Sequence, residues 1–207
     1  WQEPLPLPPV HAALQLHPFA PYPARHTDVL PDEDLEDDSF KVVYTGTIRP
    51  VNNVGNILDT AHLLKDRKDI KFLIFGGGNQ LELLKKRVED EHLENVIFKG
   101  FVEKKYIPYI LSRSSINILN YSQAQYNWSR GNSSNKLFEY MASGKPIIST
   151  VKMGYCILEK YQCGLSLEEC TPQALAEMIL KIHDMPEDTY AQMAEDAREG
   201  ARDFDFS

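Results

Sequence analysis

Residues 131–148 read GNSSNKLFEYMASGKPII, a run of small polar residues that leads directly into one acid among apolar neighbours. Ser133, Ser134 and Asn135 come just before a predicted helix, and side chains of these types cap helix amino ends. The free backbone amides at such an end carry partial positive charge and attract phosphate groups. These residues therefore predict an anion-binding site.

Glu139 lies one turn inside this predicted helix, about 6 Å along the axis from its first residue. That distance suits a ribose joined to a bound diphosphate, because a carboxylate can accept hydrogen bonds from two vicinal hydroxyls. Lys136 adds a mobile cation at the same end. The alternative is a capping box that binds nothing. Its acid would occupy the third helical position, which is Phe138 if Asn135 is the cap, so the spacing fits only if Lys136 is the cap.

The loop GTIRPVNN, residues 46–53, follows the first predicted strand. Gly46 allows a backbone to approach a ligand closely, and Arg49 carries a planar set of donors suited to phosphate. These two residues predict a second phosphate contact. A solvated surface arginine is the alternative for Arg49.

The segment FGGGNQ, residues 75–80, has the strand, glycine and helix order of a dinucleotide-binding turn. The G-x-G-x-x-G fingerprint is incomplete, however, because Leu81 stands where the third glycine is required. A tight turn beside a ligand is enough to explain the glycines. A nicotinamide or flavin site is therefore not expected.

Composition limits the classes of function. The chain has 207 residues, of which 43% are hydrophobic and 25% charged, as in ordinary soluble globular domains. The formal charge is -8, and residues 1–40 hold eight acids against one arginine, so no basic face is expected for nucleic acid. No apolar run reaches the roughly 18 residues of a membrane span. The three cysteines form no CxxC pair and are expected to be reduced thiols.

Residues 1–40 are rich in proline, lack a sustained periodicity and end in an acidic run. They are predicted to be a linker or strap, whose acidic run is a solvated tether. The sequence starts at Trp1 rather than Met, which predicts a piece of a longer protein. Residues 41–207 are predicted to form one domain.

From residue 41 onward, short apolar strands alternate with amphipathic helices. This alternation predicts an α/β fold, a Rossmann-like doubly wound parallel sheet with helices on both faces. Ligands bind such sheets beyond the carboxyl ends of the strands, where the strand order reverses. Strands are predicted over 41–46, 71–78, 95–100, 116–120, 146–150 and 163–167, and helices over 56–66, 81–93, 104–114 (interrupted at Pro108), 135–143, 172–184 and 187–202.

These segments resemble, in their order, the donor-binding half of retaining glycosyltransferases of the GT-B fold, in the GT4-type or group 1 family. The resemblance is carried by VVYTGTIRP, KFLIFGGGN, NVIFKGFVEKKYIPYIL, INILNY, SSNKLFEYMASGKPIIST and MAEDAREGARDFDFS. Among these segments, NKLFEYMASGKPII is highly specific for this family. The sequence looks most similar to members that make O-antigen or capsule, including those that transfer N-acetylated amino sugars.

The resemblance implies roles for individual residues. In that family two acids lie eight positions apart and the second holds the donor ribose, a role that falls on Glu139. The first acid is replaced by Gly131, so no role is assigned there. Arg49 and Lys136 are the expected catalytic residues, which stabilise the diphosphate. The expected donor-binding residues are Gly46, Thr47, Asn52, Gly77, Lys99, Phe101, Val102, Ser133, Ser134, Asn135 and Glu139, with the base near residues 99–102.

The resemblance further implies a hexosyltransferase that moves a sugar from a nucleotide diphosphate sugar, UDP-sugar favoured, to a polysaccharide or lipid-linked acceptor. No metal or other cofactor is expected. The acceptor domain would be a missing N-terminal part, so this fragment is expected to bind donor without turnover. A cytoplasmic location is expected, with contact to the inner face of the membrane only through the missing part. The alternatives are a sugar-nucleotide epimerase of GT-B fold and a non-catalytic nucleotide-sugar binding module.

Overall fold

The computed structural model describes residues 28–122, 135–152 and 156–204 of the chain. Six strands are found there, and the first five contain a short run of branched or aromatic apolar residues typical of buried strands. They are β1 (Phe40–Thr45), β2 (Ile70–Phe75), β3 (Val96–Gly100), β4 (Ile116–Leu119), β5 (Ile147–Ser149) and β6 (Gly164–Ser166).

The α-helices of the described residues are α1 (Glu33–Glu36), α2 (Val54–Leu63), α3 (Leu81–Asp90), α4 (Ile107–Arg113), α5 (Asn135–Ala142), α6 (Ile157–Lys160), α7 (Pro172–His183) and α8 (Glu187–Arg202). Helices α2 to α6 connect the strands, α1 precedes the first strand, and α7 and α8 follow the last. Two short 3-10 helices, at Pro50–Asn52 and Lys104–Tyr106, complete the connections. None of these helices is both long and apolar enough to cross a membrane.

The strands form one sheet in the order β3-β2-β1-β4-β5-β6, and every pair of neighbours is parallel. Parallel strands need crossover helices, which cover both faces of the sheet. The chain starts in the middle at β1, winds outward to β3, and then returns to add β4 on the other side. The predicted doubly wound, Rossmann-like α/β fold is confirmed.

Two apolar cores lie on opposite faces of the sheet because successive strand side chains point to opposite sides. In β1, for example, Val42 and Tyr44 enter one core and Val43 enters the other. Helices α2, α3 and α7 cover the first face, and α1, α4, α5, α6 and α8 cover the second. The strand order reverses between β1 and β4, so the carboxyl ends of these two strands are where a doubly wound sheet binds ligands.

The element boundaries agree closely with the sequence expectations, with two exceptions. Helices α1 and α6 were not predicted, since each has only four residues and too little periodicity to be recognised. Pro108 does not interrupt α4 but lies in its first turn, where the missing amide hydrogen leaves no helical hydrogen bond unmade.

The acidic run before β1 is not a solvated tether, contrary to the sequence expectation. Leu35 of α1 has an exposed fraction of 0% and belongs to the second core. Asp34 and Asp37 form ion pairs with Lys71 of β2. The acids are therefore counter-ions for sheet lysines, and the ordered domain begins before residue 40. The expectation for residues 1–27 lies outside the described residues.

Candidate functional site

The carboxyl ends of β1 and β2 approach each other with backbone in direct contact. Gly46 follows β1 and its amide donates to the carbonyl of Phe75, at 2.9 Å, while the amide of Gly76 donates to the carbonyl of Gly100, at 2.7 Å. A Cβ added at Gly76 would collide with the carbonyl of Gly46. Both glycines also have positive φ, at 150° and 135°, which side chains disfavour. The glycines are thus needed to bring these two loops together.

The loop after β1 is fastened by internal hydrogen bonds. The hydroxyl of Tyr44 donates to the carbonyl of Thr47, at 2.8 Å, and the hydroxyl of Thr47 donates to Oδ1 of Asn52, at 3.1 Å. Asn120, which follows β4, donates through Nδ2 to the carbonyls of Asn52 and Asn53. These bonds join the ends of β1 and β4 across the point where the strand order reverses.

Asn52 was expected to contact the donor, but the structure gives it a different role. Its exposed fraction is 5%, and its Oδ1 is occupied by Thr47. The side chain therefore stabilises the loop rather than facing a ligand. Thr47 itself is exposed, and so is Arg49 beside it.

Helix α5 is anchored to the end of β1 through Tyr140. The Tyr140 hydroxyl accepts a hydrogen bond from the amide of Thr45, at 3.1 Å. Because residues four apart share a helix face, this anchor also sets the position of Lys136, one turn earlier. The amino end of α5 is thereby directed to the carboxyl end of β1, as the sequence predicts.

The Lys136 side chain lies over the end of β1. Its Nζ is 4.7 Å from the centroid of the Tyr44 ring and 5.5 Å from that of Tyr121, distances at which a cation interacts with an aromatic face. A Cβ on Gly46 would collide with this same Nζ. The absence of a side chain at position 46 therefore makes room for the ammonium group.

Burial lowers the pKa of Lys136 to about 8, and the negative charge of Glu139 only partly offsets this effect. No ion pair joins Lys136 to a carboxylate among the described residues. A desolvated cation without a direct counter-ion is costly to the fold, and such perturbed groups concentrate at functional sites. The arrangement is suited to receive an anion.

Glu139 lies on the next turn of α5 and is accessible, with 39% of its side chain exposed. Lys104, which precedes α4 and is 87% exposed, approaches it at 3.8 Å. This ion pair is too exposed and too long to prevent the carboxylate from binding another partner. Glu139 is thus free to accept hydrogen bonds from a ligand on the surface beside Lys136.

The remaining expected site residues in the described chain line the neighbouring strand ends. A Cβ placed on Gly77, after β2, would meet no atom within 4 Å, so this residue borders open space. Phe101, after β3, is 83% exposed, which is unusual for a large aromatic side chain. Val102 next to it packs partly against the second core. These positions provide an open, partly apolar surface at the carboxyl ends of β2 and β3.

Lys99 is the second expected residue that the structure uses differently. Its Nζ is held by Asp32, at 2.7 Å, and by Asp34, at 2.6 Å. Its side chain is therefore directed to α1, although its backbone lies in the strand expected to read the base. No local sequence pattern predicts this pairing, because the acids precede Lys99 by more than sixty residues.

Several expected residues lie outside the described part of the chain. Ser133, Ser134 and the position of the absent first acid, Gly131, fall between residues 122 and 135. Asn135 is the first residue of α5, and only its backbone is described. Their predicted contacts with phosphate stay predictions.

Tyr44 and Tyr121 are site residues that sequence reasoning missed. Both flank glycine or polar turns at strand ends, in KVVYTG and INILNY. An aromatic residue at the end of two adjacent strands is a weak signal, because most such residues simply fill a core.

Among the described residues, no group of three or more His, Cys, Asp or Glu could hold a metal ion.

Comparison with known proteins identifies the family. The sequence profile of the family described as Glycosyl transferases group 1 matches residues 28–200. No curated protein sequence matches the chain. Among solved structures, TarM of S. aureus, in complex with fondaparinux, alpha-GlcNAc-glycerol and UDP, superposes with a TM-score of 0.66 at 19% identity, covering 88% of this chain.

Two further structures are similar. HepE of Anabaena, in complex with UDP and glucose, gives a TM-score of 0.64 at 16% identity over 80% of this chain. The C-terminal domain of the group 1 protein LpcC of Francisella tularensis gives 0.66 at 18% identity, covering 81% of this chain and 87% of that domain. In contrast, the chain spans only 35% of TarM and 44% of HepE.

These similarities fit the resemblance read from the sequence, and they identify the doubly wound sheet as one half of a GT-B fold. The family profile covers more than half of the chain and includes β1, the glycines after β2 and the whole of α5. The chain therefore belongs to the group 1 family of glycosyl transferases.

Proposed function

We propose that this chain is the donor-binding domain of a glycosyltransferase that takes a nucleotide diphosphate sugar, with UDP-sugar favoured. The observation that carries the proposal is the position of Lys136, a desolvated ammonium group held over Gly46 where the strand order reverses. UDP in the TarM and HepE structures supports the choice of base.

The diphosphate is placed at the amino end of α5. Lys136 and the partial positive charge at the amino end of the helix supply positive charge, and Arg49 in the exposed loop after β1 supplies a second cation. Burial strengthens the interaction of Lys136 with an anion, because less water screens the charge. The phosphates thus meet charge from local groups rather than from a broad basic face.

The nucleoside extends from the diphosphate toward β3. Glu139 accepts hydrogen bonds from the two ribose hydroxyls, in a charge-assisted contact. The base lies on the surface formed by Gly77, Phe101 and Val102, where the exposed ring of Phe101 is available for stacking. Backbone groups of residues 99–102 read its edge.

The chemistry of sugar transfer needs stabilisation of the departing diphosphate as its bond to the sugar breaks. Lys136, Arg49 and the α5 amides stand where that negative charge develops, and fixed charges in such positions are a main source of catalytic rate. Glu139 acts through orientation of the nucleoside. No metal or other cofactor is part of this proposal.

The acceptor is held by another part of the protein. Because the chain spans less than half of TarM and of HepE, we place the acceptor site on a separate N-terminal domain. The acceptor is a polysaccharide or a lipid-linked sugar, and the reaction is hexosyl transfer. A cytoplasmic location, with membrane contact through the N-terminal part, is part of the same proposal.

A sugar-nucleotide epimerase would need an acid and base pair at the donor site. The histidines of the described residues give it no support. His62 pairs with Glu91 on the α2 and α3 surface, and His183 lies on α7 beside Asp69. The other alternative is a non-catalytic binding module, which would bind the same nucleotides. A measurement of sugar transfer distinguishes it from a transferase.

A thermal-shift panel of UDP, GDP, ADP, UMP and inorganic pyrophosphate tests the proposal. A ligand at 100 times its Kd stabilises a protein by about 2.7 kcal/mol, so UDP should give a clear rise in Tm. Lys136→Met should abolish the rise. The proposal fails if no nucleoside diphosphate stabilises the chain, or if Lys136→Met responds as the wild type does.

A further inference from the structure

Three lysines lie on one face of the sheet, under α1. Lys41, Lys71 and Lys99 each belong to an otherwise apolar strand, and Lys41 and Lys71 are direct partners across β1 and β2. Lys99 lies further along the sheet, at the carboxyl end of β3, but Asp34 contacts both its Nζ and that of Lys71. Cations gathered on one face repel each other without counter-ions. The acids of α1 and its flanks supply these counter-ions, which explains why a helix of only four residues is held on the sheet.

Lys99 is held in a largely enclosed pairing with two acids. Asp32 and Asp34 both contact its Nζ, at 2.7 and 2.6 Å, and the exposed side-chain fractions are 16% for Lys99, 17% for Asp32 and 25% for Asp34. Asp32 also caps α1 by accepting from the amide of Asp34. Partly buried ion pairs are screened less than surface ones, so this contact holds the lysine firmly.

Lys99 is also the residue at which β3 loses its regular register. Phe98 pairs with Ile74 and Gly100 pairs with Phe75, so the register shifts by one residue and Lys99 has no partner in β2; we call this irregularity the bulge. Gly100 has a φ of 71°, in the left-handed region. Bulges redirect strands beside functional sites, and an extra unpaired residue leaves the strand end without its full ladder of hydrogen bonds.

We propose that Asp32 and Asp34 are positioning residues: by holding the ammonium of bulged Lys99, they fix the strand end that leads into Phe101 and Val102. The link to nucleoside binding rests on the proposed function above. In that function the segment from Lys99 to Val102 carries the base. The segment entering the domain before β1 therefore sets the geometry of the base-reading surface.

Asp37 provides a matched control on the same segment. It pairs with Lys71 and with Lys41, at the amino ends of β1 and β2 and away from the bulge. Asp34 also pairs with Lys71, so both variants lose a Lys71 contact and only the double variant releases Lys99. Any effect that Asp32 and Asp34 share with Asp37 is therefore general, and any effect that they alone show belongs to the bulge.

The first measurement needs no ligand. Amide hydrogen exchange followed by mass spectrometry compares the wild type, Asp32→Asn/Asp34→Asn and Asp37→Asn, and asparagine preserves the cap on α1. We expect exchange at residues 99–102 to become at least threefold faster in the double variant and to stay unchanged in Asp37→Asn. Lys99→Met should reproduce the double variant. Equal exchange at residues 99–102 in all proteins would overturn the proposal.

The second measurement separates the base from the phosphates. Calorimetric titration with UDP and with inorganic pyrophosphate should show UDP bound roughly threefold to tenfold more weakly by the double variant, with pyrophosphate affinity unchanged. Asp37→Asn should bind both as the wild type does. Equal losses for UDP and pyrophosphate, or no loss for UDP, contradict the positioning role. A wild type that binds neither ligand refutes the proposed function, and the exchange experiment alone then decides the inference.

Discussion

Lys136 carries its charge in a place where burial disfavours it. A lysine in unfolded protein keeps its ordinary pKa near 10.4, whereas burial lowers the pKa of Lys136 in the fold to about 8. The folded chain therefore binds this proton less tightly, so Lys136 destabilises the fold fully below pH 8, and stability recovers as the pH rises toward 10. The residue is retained at a cost in stability, which is expected of a ligand-binding group.

Replacing Lys136 with methionine tests this trade-off. Methionine keeps the length and apolar contacts of the stem, so we expect the free variant to be more stable at pH 7, by about 1–3 kcal/mol. Urea denaturation at pH 7 and at pH 10 measures the gain, which should shrink at the higher pH. A destabilised variant at pH 7 would show that the contacts of the ammonium group with the Tyr44 and Tyr121 rings outweigh the cost of its burial.

Nucleotide binding should be linked to protonation of the same residue. A bound diphosphate favours the charged ammonium and raises its pKa, so the complex should take up a fraction of a proton near pH 8.5. The apparent enthalpy of UDP binding, measured in buffers of different ionisation enthalpy, should reveal this uptake, and affinity should fall as the pH rises above 8. Lys136→Arg, which stays charged, should lose both effects. If Lys136→Arg still shows proton uptake and the fall in affinity, the proton is taken up by a group other than Lys136.

At the scale of elements, α1 shows how a short segment can be integral to a domain. Its single apolar side chain, Leu35, is fully buried, and its acids neutralise lysines from three strands. These contacts connect residues far apart in sequence. A four-residue helix contributes little by itself, since short helices depend on tertiary packing.

Leu35→Ala measures the contribution of α1. Truncation of a fully buried leucine usually destabilises a domain by about 2–5 kcal/mol, through lost burial and the cavity left behind. We expect a loss in that range in urea denaturation. Val29→Ala, at a position 60% exposed in the same segment, is the control and should change stability by less than about 0.5 kcal/mol. If both variants lose similarly little stability, α1 is a tether rather than an integral part of the domain.

The sequence predicted elements better than it predicted contacts. Strand and helix periodicity is local, so β1 to β6 and the longer helices could be read directly, and the glycine turns located the ligand edge of the sheet. Ion pairs such as Asp32 with Lys99 depend on how the chain is wound, and no local pattern reports them. The acidic run was misread for this reason, because charge density alone favours a solvated segment.

For the candidate site, too, positions within one element could be predicted, and contacts between elements could not. Lys136 and Glu139 are arranged on α5 as helical spacing requires, so their proximity to the strand ends could be expected. The hydrogen bond of Asn52 to Thr47 could not be predicted, because it is a feature of loop conformation. The aromatic contacts of Lys136 join β1, the turn after β4 and α5, and only the assembled fold brings these together.

At the scale of the whole molecule, the chain is one half of a two-domain enzyme in our proposal. It should bind UDP yet leave UDP-sugars intact in the presence of lipid-linked or polysaccharide acceptors, because the acceptor site lies on the other half. Release of UDP by the chain alone and by the chain joined to its N-terminal domain measures this difference. Sugar transfer by the isolated chain would show that the acceptor site lies within it.

The central claim is that α5 directs Lys136 to the diphosphate and Glu139 to the ribose of one bound nucleotide. Calorimetric titration of the wild type and of Glu139→Ala with UDP and with 2′,3′-dideoxy-UDP tests it most directly. Hydrogen bonds to a charged group contribute about 1.5–3 kcal/mol each, so the wild type should bind the dideoxy compound at least about tenfold more weakly than UDP. Glu139→Ala should bind both equally, and a variant that still prefers UDP as strongly as the wild type would contradict the account.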